Sequence, residues 1–157
     1  MDSYLLLKLI HLLCAVVVAG TGTGIAFFMF MANRSGNAQA IAVTARHVVL
    51  ADWLFTAPAV VVQFVTGVLL MIKLGYSFSS LWFLTVVSLF VFVGACWLPV
   101  VVIQYRLRRL ATESAGVGVI DPAFRSLMRT WTVLGVPAFT TILVIFWLMV
   151  FKPFPVV

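Results

Sequence analysis

The sequence predicts an all-α integral membrane protein: a bundle of four transmembrane helices with both termini on the outer, periplasmic side. Three observations carry that reading. Of 157 residues, 64% are hydrophobic and only 9% charged, too few charges to clothe a soluble domain of this length. Four apolar stretches each exceed the roughly 20 residues that cross a ~30 Å hydrocarbon core. The basic residues are also segregated by side. Together these exclude a secreted disulfide scaffold, a nucleotide-binding α/β enzyme and a nucleic-acid binder, despite the net charge of +6.

The spans are expected at 4–31, 45–73, 80–105 and 130–151. Met1–Leu7 lacks the basic start of a signal peptide, so the first stretch reads as a true span. Asn33, Arg34, Ser35, Gly36 and Asn37 mark a connection over 32–44, and Leu74–Ser79 forms a short turn. The segment 106–129 is expected to hold a short interfacial helix. In it Asp121 would cap, Pro122 would start, Phe124, Leu127 and Met128 would face lipid, and Arg125 and Arg129 would meet headgroups. No stretch separates domains, so the chain reads as one domain, 1–157.

Lys8, Lys73 and Lys152 fall on the side of the termini. Arg34, Arg46, Arg106, Arg108, Arg109, Arg125 and Arg129 fall on the other. That asymmetry assigns the 32–44 and 106–129 connections to the cytoplasm of a bacterial inner membrane. The basic balance then means contact with anionic membrane lipids, with no nucleic-acid partner.

Counting 1.5 Å per residue from the expected span ends gives two polar layers. The outer one holds His11, Gln63 and Ser88. The inner one holds Asp52, Thr21, Thr23, Trp97, Pro99 and Pro137. Asp52, Thr56, Gln63, Thr66 and Gly67 share one stripe of the second helix, which should face the bundle interior. On the first helix His11, Ala15, Val18 and Gly22 form a stripe of mostly small residues, and Gly20 and Gly24 suggest close helix approach. Pro58, Pro99 and Pro137 should free the carbonyls of Leu54, Ala95 and Val133.

Asp52 is the most informative residue, because a carboxylate in a membrane interior must be paired, protonated or hydrated. It reads as a proton carrier, cation site or ligand anchor, or else as a structural partner of Arg46, Arg129, Trp97 or Thr21. His11 reads either as a haem-iron ligand or as a buried histidine satisfied by a carbonyl or by Gln63. Lys8, one turn away, could meet a haem propionate. His47 lies about 24 Å from His11 in depth, so one chain cannot clamp a haem between them, although a homodimer could pair two copies of His11. Cys14 and Cys96 lie in different halves of the bilayer, and no zinc or copper cage or nucleophilic triad is present. Tyr4, Trp82, Trp131 and Trp147 read as interface anchors or packing.

Leu7-Lys8-Leu9-Ile10-His11, Ala51-Asp52-Trp53, Pro58, Gln63, Thr66, Gly67, Trp82, Trp97-Leu98-Pro99-Val100, Gln104, Trp131 and Met149–Pro153 carry a family resemblance. Through nearly its whole length the chain resembles a widespread bacterial family of four-helix membrane proteins without an assigned function. More distantly, it resembles the membrane-bound protoporphyrinogen oxidases, small four-helix proteins with a histidine early in the first helix. It departs from them after Trp82, where Phe83, Leu84, Thr85 and Val86 stand in place of a lysine. That resemblance implies haem b on His11, with Lys8 and Gln63 beside it and a quinone as redox partner. The alternative is a non-enzymatic membrane subunit (a transport or channel component, or a scaffold for a partner membrane subunit) built on a buried network of Asp52, Thr21, Thr23, Thr56 and Trp97. Whether the protein is an enzyme is left open by the residues.

Overall fold

The computed structural model describes residues 3–155. In order it forms α1 (Ser3–Ser35), α2 (Ala38–Ala51), a π turn (Asp52–Thr56), α3 (Ala57–Leu74), α4 (Leu81–Val117) and α5 (Pro122–Phe151). The π turn joins α2 and α3 into one span, so four helices are long and apolar enough to cross a membrane.

The helices overrun the expected spans, and always at the end away from the termini. The 32–44 connection shrinks to a turn in which Gly36 adopts φ 66° and the Asn37 side chain caps α2 by accepting from the N–H groups of Gln39 and Ala40. The 106–129 segment is helical apart from the turn at Gly118 (φ 79°). Asp121 does cap, accepting from the Ala123 N–H at 2.7 Å, and Pro122 does open the helix. That helix, however, runs unbroken into the last span. Phe124 and Met128 do not face lipid but are buried.

The reason is visible in the core. Ile41, Ala45, Leu107, Ala111, Phe124 and Met128 form one apolar cluster that continues to Trp131 and Met29. Hydropathy registers only the lipid-immersed part of a helix. Here α2, α4 and α5 continue past the hydrocarbon and bury their own small core at the level of the exposed arginines Arg46, Arg106, Arg109, Arg125 and Arg129. At 37 residues α4 is about 55 Å long, well beyond the ~30 Å of hydrocarbon.

At the end bearing the termini a second, smaller cluster joins Met71, Trp82, Val86 and Leu148. Trp82, expected as an interface anchor or as packing, is buried there and donates its indole N–H to the Leu148 carbonyl at 2.9 Å. Between the two clusters the bundle separates into pairs, α1 against α3 and α4 against α5, while α1 barely touches α5. The stacked rings of Phe64 and Phe90 (5.9 Å) bridge α3 to α4. Gly20 and Gly24, expected at a close helix crossing, approach no neighbour. The tight approach falls instead at Gly67, where a Cβ would stand 3.3 Å from Cε1 of His11.

Candidate functional site

The π turn is the local feature that builds the site. Pro58 has no N–H to offer, and the Ala57 N–H bonds back five residues to the Asp52 carbonyl. The widening changes the fate of one hydroxyl. Thr66, Thr132, Thr140 and Thr141 each donate to the carbonyl four residues earlier, the usual way to satisfy a threonine in an apolar helix. Thr56, at the end of the widened turn, makes no such bond, and its Oγ1 is buried without a partner.

Thr56 is one of five such groups. Among the described residues, the buried side-chain polar atoms without a hydrogen bond are Asp52 Oδ2, Thr56 Oγ1, Gln63 Oε1, Trp97 Nε1 and Trp131 Nε1. All five residues line a single cavity of about 570 Å³ in the middle of the bundle, within the ~300–1,000 Å³ usual for small-molecule sites. Asp52 (5% exposed), Thr56 (6%) and Trp131 (7%) are deeply buried. Native proteins leave very few buried polar atoms unpaired, and each such atom calls for an explanation. Five such residues border one cavity, although the unpartnered atoms themselves expose almost no surface.

Apart from Thr23, Gln104, Thr132 and Thr140, the remaining wall is aliphatic and aromatic, with Phe90, Phe139, Ile142 and Phe146 toward the end bearing the termini. Neither Lys nor Arg lines the cavity. Asp52 makes no ion pair with Arg46 or Arg129, and the ion pair among the described residues is the exposed Arg109–Glu113 contact at 3.7 Å. The cavity is bordered on one side by exposed residues of α1 and α5, two helices that touch sparsely, as α3 and α4 also do. There Thr23, Phe27 and Phe30 face Val136 and Thr140, all of them exposed.

His11 stands beside the cavity rather than in it, as does Lys8. Its bonding follows from a chain of donors. Thr66 gives its hydroxyl hydrogen to the Val62 carbonyl at 2.7 Å, so its oxygen accepts from His11 Nδ1 at 2.9 Å. Nδ1 therefore carries the ring proton, and Nε2 accepts from the Gln63 amide nitrogen at 2.9 Å. Gln63 is thereby held with its amide oxygen unpartnered. Both ring nitrogens of His11 are engaged, Nδ1 by Thr66 and Nε2 by Gln63, so a haem iron finds no free nitrogen on this histidine. The residues do not fit that group.

Of the residues expected at a site, Asp52, Thr23, Thr56, Gln63 and Trp97 meet at the cavity. Thr21 does not line it, and Thr23 donates its hydroxyl to the Ala19 carbonyl. Trp131 and Gln104 line it and were expected only as packing or as family markers. The signal that could have singled them out is the continuation of α4 and α5, which carries Gln104 and Trp131 inward to the level of Met29 and Val48. His47 is exposed, and Cys14 and Cys96 are free thiols.

Fold and cavity together define a four-span helical membrane protein with a chamber between its helices. The chain belongs to the family described as predicted integral membrane protein (DUF2269), which it matches over residues 5–153 and whose function is unknown. No curated protein and no solved structure matches it.

Proposed function

We propose that this chain is a non-enzymatic membrane subunit that holds a small hydrogen-bonding guest inside the bilayer, at the chamber edged by Asp52, Thr56, Gln63, Trp97 and Trp131. The observation that carries the reading is the cavity of about 570 Å³, bordered by five residues that each hold a buried polar atom without a partner. In a medium without water each such atom destabilises the fold unless something answers it. No histidine, cysteine or lysine lines the chamber to activate a nucleophile, and the described residues hold no cluster of metal-binding side chains, so binding rather than bond-making chemistry is the economical reading. His11 acts in it as a positioning residue that fixes the Gln63 side chain at the chamber's edge. The haem reading, with its electron-transfer role, loses support from the occupied ring nitrogens. The arginine asymmetry favours a bacterial inner membrane, with the arginine end in the cytoplasm and both termini outside.

Native mass spectrometry of protein purified in a mild detergent tests the reading. Wild type should retain a small non-protein mass, and the double variant Asp52→Leu/Thr56→Val should lose it while keeping its helical circular dichroism. Wild type that flies free of any adduct, and takes up none when lipid extract is added back, would overturn it.

A further inference from the structure

We infer that the arginine end of the bundle carries a binding site for an anionic phospholipid, set on the outer face where the second span packs against α4. The lipid phosphate rests on Arg108 and the Tyr105 hydroxyl, and the acyl chains run down the bundle past Val102 and Leu98. The site lies outside the chamber and stands independently of the function proposed for it.

Three side chains from two neighbouring spans are joined here. Trp53, in the π turn, donates its indole N–H to the Tyr105 hydroxyl at 2.6 Å. The Arg108 guanidinium lies over the Tyr105 ring, 5.0 Å from its centroid. The ring holds the cation, and the indole holds the ring. A phenol oxygen that accepts from an indole still has its own hydrogen to donate. Guanidinium and hydroxyl thus offer donors to one phosphate, and a stacked guanidinium is suited to that geometry. Arg46 precedes Trp53 by seven residues, two helical turns, and so shares its face. Ala45 and Leu107 line one small void, which sets Arg46 and Arg108, the residues that follow them, at the same depth.

Arg108 has no carboxylate partner among the described residues. Of the chain's four acidic residues, Glu113 pairs with Arg109, Asp121 caps α5, Asp52 is buried in the bundle, and Asp2 lies outside the described residues. The level is that of lipid head groups. On the bilayer side of the aromatic pair Leu54, Leu98 and Val102 are exposed, and on the other side Arg106 and Arg109 are exposed. Trp53 and Tyr105 therefore mark the edge of the hydrocarbon, where such rings collect. An acidic protein segment would answer Arg108 but not the apolar surface directly beneath it. A phospholipid answers both, and basic sites between spans on the cytoplasmic side suit anionic head groups.

Native mass spectrometry of delipidated protein titrated with phosphatidylglycerol or phosphatidylethanolamine tests the site. Phosphatidylglycerol should be retained more strongly. Arg108→Gln should weaken its binding about tenfold, the effect of one charge-assisted hydrogen bond. Tyr105→Phe keeps a ring under the guanidinium and should weaken it less. Arg125→Gln, which removes an exposed arginine of α5, should leave it unchanged, with wild-type helical circular dichroism in all three. Equal loss in Arg108→Gln and Arg125→Gln would mean a diffuse charge belt and overturn the site. Wild type that prefers neither lipid would overturn it too, and Arg108-dependent binding of polyglutamate by such protein would make the partner an acidic protein segment. Asp52→Leu/Thr56→Val should keep the phosphatidylglycerol preference. Its loss there would put the lipid in the chamber, which overturns this site and leaves the chamber's binding function standing.

Discussion

Two glycines on facing helices separate a packing role from a purely conformational one. Gly67 lies against the His11 ring, which two hydrogen bonds hold in place. Gly67→Ala should therefore force the ring off its partners and lower thermal stability by about 1–3 kcal/mol. Gly20 has nothing near it, so Gly20→Ala should gain about 0.8–1 kcal/mol from helix propensity alone. Thermal unfolding of both variants in the same detergent checks the pair, and equal effects would mean that the His11 ring can yield. His11→Phe is a harsher probe. It leaves the Gln63 amide unpaired, and the expected cost of about 1–3 kcal/mol should come with weaker guest binding, because the Gln63 side chain at the chamber's edge is no longer fixed. A mere packing role for His11 would lower stability and leave binding intact.

At the scale of the element, the second span shows how much the sequence displays and where it stops. The stripe Asp52, Thr56, Gln63, Thr66 and Gly67 was readable because helical periodicity is preserved on each side of the π turn. Its division was not readable. Asp52, Thr56 and Gln63 line the chamber, whereas Thr66 and Gly67 turn to His11. A proline in a helix announces a lost hydrogen bond, but it does not say whether the chain will kink or widen. Depth was misjudged for a related reason. The expected ends of the third and fourth spans lay at 105 and 130, where apolarity falls, while the hydrogen-bonded helices run to 117 and from 122. Charged, lipid-free helix carries no hydropathy signal, so Trp131 looked like an interface anchor. Pro58→Ala tests the π turn directly. Restoring the N–H should let the span relax to uniform α-helix and rotate Asp52 and Thr56 away from Gln63. Helical content should hold or rise, and guest binding should fall at least tenfold.

For the whole molecule, the charge belt and the chamber make separate expectations. A reporter fused to either terminus should be found outside the cell, since seven arginines lie at the opposite end. Purified protein from haem-replete cells should show no Soret band, oxidised or reduced, because His11 has no nitrogen to spare. A stoichiometric Soret band that disappears in His11→Ala would overturn the assignment of His11 as a positioning residue.

The arrangement of two packed clusters around a loose middle also has a mechanical meaning. The helices are clamped near both ends and free to bow between them, so the softest coordinate of the molecule is the width of the seam between the α1–α3 and α4–α5 pairs. Volume changes under pressure scale with void space, so the empty protein should be compressible and the filled one stiff. Hydrostatic pressure would then close the seam before it loosens either cluster. In a living membrane the same coordinate would couple occupancy of the chamber to the lateral squeeze of the surrounding lipids.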